Sequence, residues 1–203
     1  MLLISKIIYR SLNDVIQQIP RQVLIAICIL IFTCNLAQAT QASLQNIVLD
    51  SKNTNLTLSF KLENAFSEEM KEVILNGTSV TFKYFVALWE IKDFWLDKKL
   101  VDIKIEHMLK YNVLKKEFVI KKSWDIDEVL VTKSFVEAQN LMSTIRSLKI
   151  LPFTWLENGN RYQIATKAEL SNANLPFDVR SAIFFSPPWG FETDWYILDF
   201  NRS

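Results

Sequence analysis

A two-residue alternation governs residues 55–63: Leu56, Leu58, Phe60 and Leu62 fall on one side, and Thr57, Ser59, Lys61 and Glu63 on the other. Only an extended chain puts every second residue on one face. The stretch is therefore predicted as an antiparallel strand with one dry face and one wet face. A strand of this kind needs a second layer to cover its apolar side. Half of the 203 residues are apolar and 12% are aromatic, so the material for that layer is present. With only three glycines and five prolines, repeats and flexible linkers are not expected.

The same reasoning places further elements. Leu44 to Leu49 is expected to pair with the first strand across the polar turn from Asp50 to Asn53. Val101, Ile103, Ile105, His107 and Leu109 alternate in the same way, and Phe118 to Lys122 and Glu128 to Thr132 are shorter candidates. Ser79 to Trp89 is apolar on both faces, which predicts a central strand. Ser67 is placed to cap a helix that opens with Glu68-Glu69 and stops at Gly77. Ser134 with Glu137 makes a capping box, and Ala138, Leu141, Met142, Ile145 and Leu148 then recur at helical spacing, predicting a helix to Leu148. A third helix is predicted from Pro176 to Phe184. Leu151 to Leu156 and Arg161 to Leu170 flank Asn158-Gly159 and read as a hairpin, and Glu192 to Phe200 as the last strand. The expected fold class is α+β, predominantly antiparallel β, either sandwich-like or a sheet covered by two to three helices.

Ahead of this domain lies a different kind of segment. Lys6, Arg10 and Arg21 against Asp14 precede Val23 to Cys34, which carries no charge, and Ala37 and Ala39 follow as an A-x-A site before Thr40. Basic flank, apolar stretch and small-residue site in that order predict a signal peptide over residues 1–39, with one domain over 40–203. An uncleaved anchor is the alternative, since Val23 to Ala39 is just long enough to cross a bilayer. Either way, the domain is expected outside the cytoplasm, in the periplasm or at the periplasmic face of the inner membrane. Cys28 and Cys34 both lie in the apolar segment, which leaves the domain without a thiol for a disulfide or a metal. A lipidated Cys34 fits poorly behind the bulky Phe32 and Thr33.

The candidate chemistry is sparse. Net charge is +1, falling to −1 once the leader's three cations and one anion are removed, so no electrostatic footprint for nucleic acid is present. His107 is the only histidine, and its parity puts it on the core side of its strand, where a structural role outweighs that of a general base. Glu192 and Asp194, two apart in a predicted strand, share one face and could work on a glycoside as paired carboxylates; Asp199 is five further on. Three glycines far apart exclude the usual phosphate loops, and no cofactor is expected. Lys98-Lys99, Lys115-Lys116 and Lys121-Lys122 read as protection of strand edges, with contact to anionic lipid second. Trp89, Trp95 and Trp124 are expected in the core or packed at strand ends. Phe184, Phe185, Pro187, Pro188, Trp189 and Phe191 form an aromatic-proline stretch, with Trp195 nearby. Packed over the core it is a loop; exposed, it is a contact for a partner or a membrane.

The run from Leu151 to Tyr162, the Ala168-Glu169-Leu170 that follows, Leu175-Pro176, and the closing Phe191-Glu192-Thr193-Asp194-Trp195-Tyr196 resemble the bacterial DUF4390 family over about residues 45–200. The helix opening at Ser134 sits where that family has its own Glu-Ala-containing helix. The resemblance implies an exported domain of unknown function, encoded near a membrane sensor kinase of the nitrogen-regulation type, and it brings no catalytic residues. The functional expectation is an envelope protein that binds a protein partner or a membrane surface without catalysis. A periplasmic hydrolase of envelope glycans and an apolar-ligand carrier are the alternatives. Amino-terminal sequencing of the native protein is expected to begin at Thr40, whereas a start at Met1 in the membrane fraction would identify the segment as an anchor.

Overall fold

The computed structural model describes residues 41–51, 54–123, 125–171 and 190–202; of 125–128 it describes the backbone alone. The leader with Ala37, Ala39 and Thr40, Trp124, the helix expected from Pro176, and the stretch containing Phe184, Phe185, Pro187, Pro188 and Trp189 lie outside the described residues.

Nine strands and two short helices follow one another as β1 (Ser43–Asp50), β2 (Asn55–Glu63), α1 (Glu68–Leu75), β3 (Val80–Ile91), β4 (Lys98–Asn112), β5 (Glu117–Lys122), β6 (Asp125–Thr132), α2 (Phe135–Ser143), β7 (Thr144–Pro152), β8 (Arg161–Ser171) and β9 (Tyr196–Asn201). The strands make two antiparallel sheets, one in the order β1-β2-β7 and one in the order β6-β5-β4-β3-β8-β9. The architecture is α+β and mostly antiparallel β, as the alternation predicts. β3 is interior in the larger sheet, buried at every position of one face and exposed at none of the other, which matches its doubly apolar sequence.

The two sheets share one core. Leu56, Leu58, Phe60 and Leu62 of β2 meet Phe82, Tyr84, Val86 and Leu88 of β3, and the rings of Phe60 and Tyr84 lie 5.7 Å apart. Each such side chain contributes about 1.5–3 kcal/mol relative to exposure. Helix α1 begins as expected: the Ser67 hydroxyl accepts the Met70 N–H at 3.2 Å, and Glu68 and Glu69 occupy the first turn. Gly77 ends it at a φ of 86°, a conformation that favours glycine. At α2 the capping box forms on one side only. The Ser134 hydroxyl accepts the Glu137 N–H, while the Ser134 N–H is taken by the Thr132 hydroxyl, which itself donates to the Glu137 carboxylate.

Two predicted elements come out differently. The second helix stops at Ser143 instead of running to Leu148, and Ile145 and Leu148 belong to β7. The misleading spacing comes from a bulge. Leu58 pairs with Leu148 and Phe60 with Ile145, so β7 carries one residue more than β2 between these pairs. Ser147 takes up the excess with a φ of 50° and gives its N–H to the Ser59 hydroxyl. The extra residue sets two apolar side chains three apart, and three is also a helical spacing. Nor do Leu151 to Leu156 and Arg161 to Leu170 form a hairpin. β7 lies in the small sheet and β8 in the large one, and Asn158-Gly159 carries the chain between them. Gly159 still adopts the positive φ expected of it, 82°, and its N–H donates to the Arg202 carbonyl at 2.8 Å.

The junction of α2 and β7 has no connecting loop, so the last carbonyls of the helix need donors from elsewhere. The Met142 carbonyl accepts the Tyr84 hydroxyl at 2.6 Å and His107 Nδ1–H at 2.7 Å, from β3 and β4 respectively. All three residues are buried. Tyr84→Phe removes one of the two donors and is expected to lower the unfolding free energy by about 1–2 kcal/mol. Urea denaturation measures this directly; an unshifted midpoint would mean that the carbonyl is satisfied by His107 alone.

Candidate functional site

His107 is fully buried, edge-on to Tyr84 with ring centroids 5.3 Å apart. Burial pushes its pKa down to about 4, with the nearby Lys122 ammonium adding to the depression and the bond to Met142 opposing it. A neutral imidazole fixed on a backbone carbonyl is a structural group, not a base waiting for substrate.

Among the carboxylates, Asp199 lies far from Glu192, while Glu192 and Asp194 stay two residues apart on a segment ahead of the last strand. Glu192 lies on an isolated bridge to Glu169, and Lys167 Nζ donates to it at 2.6 Å. Asp199 pairs with Gln163 on β8 and accepts that amide at 2.9 Å. Glu169 and Gln163 are six positions apart on one strand, so Glu192 and Asp199 are separated by roughly 20 Å, at about 3.3 Å per residue. A glycosidase pair needs about 5–9.5 Å. Asp194 is exposed beside the buried Thr193, whose hydroxyl accepts the Ala168 N–H and whose own N–H donates to the Ala168 carbonyl. The last strand predicted from Glu192 is therefore interrupted, with β9 beginning only at Tyr196. Among the described residues, no three His, Cys, Asp or Glu come together as a metal site.

Of the aromatic stretch, Phe191 and Trp195 are described. Phe191 is half-buried and edge-on to Phe82 at 5.0 Å, packed against the core. Trp195 is about half exposed, and the Lys167 ammonium lies 5.3 Å from its ring and 5.3 Å from that of Phe85. The lysine pairs sit at the start of β4, in the β4–β5 turn and at the end of β5. Since β4 and β5 are interior strands, these lysines guard no sheet edge.

Three consecutive apolar side chains between β3 and β4, Phe94, Trp95 and Leu96, are 98%, 84% and 84% exposed, and Leu114 in the β4–β5 turn is similarly open. The expectation of a packed Trp95 is corrected: it stands in solvent, whereas Trp89 is half-buried on the sheet with the Lys99 ammonium over its ring at 5.4 Å. Ile91, Arg161 and Asn201 form one rung at the rim of the large sheet, and residues 92–97 overhang it. The overhang is built, not loose. The Asp97 carboxylate accepts the Lys92 N–H at 3.1 Å, closing the turn; Asp93 is bound by Arg161, and Lys92 by Glu90. Glu90 also accepts the Asn160 amide at 2.6 Å, which ties the overhang to the 153–160 connection, where Trp155 is 74% exposed. Three apolar residues in a row between charged neighbours, Lys92-Asp93 and Asp97-Lys98, are the signal that could have revealed this tip.

A surface groove of about 640 Å³ lies between the β2–α1 link and α2, lined by Lys61, Glu63, Asn64, Ser134, Glu137 and Asn140 among others. Its wall mixes these polar groups with the apolar side chains of Leu62, Ala65, Phe66 and Val136.

A family model described as a domain of unknown function (DUF4390) matches residues 39–199. No curated protein and no solved structure matches the chain.

The depressed His107 pKa has a consequence for stability. The unfolded chain binds a proton near the ordinary value of 6.5 and the folded chain only near 4, so stability is complete above about pH 6.5 and falls as pH drops through that window. The full loss is about 3 kcal/mol. His107→Asn, which keeps a donor for the Met142 carbonyl, is expected to flatten this part of the profile in urea titrations; an unchanged slope would assign it to other groups.

Proposed function

The chain belongs to the DUF4390 family, and we propose that it is an exported envelope protein that works as a non-enzymatic interaction module, docking through an apolar tip onto a protein partner or a membrane surface. One observation carries this reading: Phe94, Trp95 and Leu96 are held in water on a turn that the fold closes with its own hydrogen bond. Burying such side chains would stabilise the chain by about 1.5–3 kcal/mol each, a gain that the folded domain leaves unrealised. A turn of six residues could as easily be polar. Trp155 on the neighbouring connection widens the apolar surface at the same end of the large sheet. Export rests on the basic flank, the apolar stretch and the A-x-A site of the leader.

The alternatives have less behind them. A glycan hydrolase needs two carboxylates free to flank one bond, and of the pair Glu192 and Asp194 the first is engaged by Lys167. An apolar-ligand carrier needs a dry interior space, and the described core is filled by Phe60, Tyr84, Phe82 and Tyr162.

The test is a photoreactive amino acid at position 96 in cells, compared with one at Val136, an equally outlying site at 73% exposure on α2. Position 96 is expected to give discrete envelope adducts, and Phe94→Ser with Leu96→Ser to leave the thermal midpoint unchanged. Adducts no richer at 96 than at 136 would remove the tip from any docking role.

A further inference from the structure

The docking reading above leaves the occupant of the tip open, and the inference here rests on that reading. We propose that Phe94, Trp95 and Leu96 insert into the interfacial layer of a phospholipid bilayer. Shape is the first argument. The tip is convex and overhangs the rim marked by Ile91, Arg161 and Asn201, and it offers three side chains in sequence. A stable protein interface takes about 20–30 residues from each side, far more than such a tip supplies. A bilayer needs no matching surface, because apolar side chains enter it one by one and to a depth of only about 5–10 Å.

A turn formed in advance is the second argument, since an element already ordered loses little freedom on binding. Here the Lys92 N–H is taken by Asp97 Oδ1, which closes the turn before any membrane is met. Charge is the third. Both acids beside the tip are engaged, Asp93 by Arg161 and Asp97 by the turn; Lys92 pairs with Glu90 and Lys99 with Asp102, and Lys98 stands exposed at the base. A cation at that level meets a lipid phosphate once the apolar residues are in. Residue type is the fourth: tryptophan concentrates where hydrocarbon meets headgroup, and both Trp95 and the exposed Trp155 lie at this end of the large sheet.

The experiment uses the full chain with vesicles of phosphatidylethanolamine and a minority of phosphatidylglycerol, brominated in the upper part of the acyl chain. Bromine quenches a nearby indole. Subtracting the signal of Trp95→Phe, which keeps the tip apolar, isolates Trp95 from the other tryptophans and from the leader's own affinity for lipid. The expected result is strong quenching assigned to Trp95, with Phe94→Ser and Leu96→Ser together weakening it by about tenfold or more at equal lipid, since two buried side chains are lost. The serine variant must keep the parent urea midpoint, as its sites make no core contact. Vesicle-bound protein whose Trp95 emission is unquenched would overturn the inference. If position 96 then still forms a protein adduct in cells, the interaction module survives with a protein occupant. If it forms none, both ideas fall together.

Discussion

The arrangement turns on a single backbone oxygen. The Met142 carbonyl stands at the last turn of α2, where no amide of the helix can reach it and burial shuts it off from bulk solvent. Tyr84 and His107 both point at it, from adjacent strands of the large sheet. An orphaned buried carbonyl costs about 1–3 kcal/mol, so the two donors determine more than a local bond. They fix where α2 ends, and with it the point at which β7 leaves to complete the small sheet. One layer of the sandwich is thereby tied to the other through main chain as well as through apolar contact. The same geometry explains why His107 is neutral: a proton on its second nitrogen would place a charge in the core.

Extra residues in the strands shape what surrounds this junction. Asn46 lies in the bulge of β1 and Ser147 in that of β7, both at positive φ, and both bulges face β2 from opposite sides. Each shifts the alternation of its strand by one position, so that apolar residues beyond the bulge return to the core side. A similar excess separates the Glu192 bridge from β9, with four residues from Glu192 to Tyr196 set against three from Thr166 to Glu169. That excess interrupts the strand ahead of Tyr196, so the alternation that puts Glu192 and Asp194 on one face does not run on into β9.

With the core closed and its titratable groups engaged, the surface at the β3–β4 turn carries the functional weight. The β3–β4 pair is the longest in the domain, rigidly flanked by β5 and β8, and it ends in a turn braced by Asp97, Arg161 and Glu90. A docking element on such a support is already ordered, so binding does not have to order it. Lys167, held between Phe85 and Trp195 and bound to Glu192, makes the outer sheet face a closed set of contacts by comparison.

The sequence by itself determined the class of fold and most of its strands, because period-two alternation can be satisfied only by an extended chain with one face covered. It determined the caps at Ser67 and Ser134 and the turn glycines at 77 and 159, since these depend on local bonds and local dihedral angles. Tertiary structure alone decided that α2 ends at Ser143, because the donors that stop it come from residues 35 and 58 positions away. It decided that Asn158-Gly159 joins two sheets, since a turn's dihedral angles do not say with which strand the next segment will pair. It also decided that Trp95 stands in water while Trp89 lies on the sheet: whether an apolar residue is covered depends on what the rest of the chain brings to it, and nothing among the described residues is brought to the end of that turn.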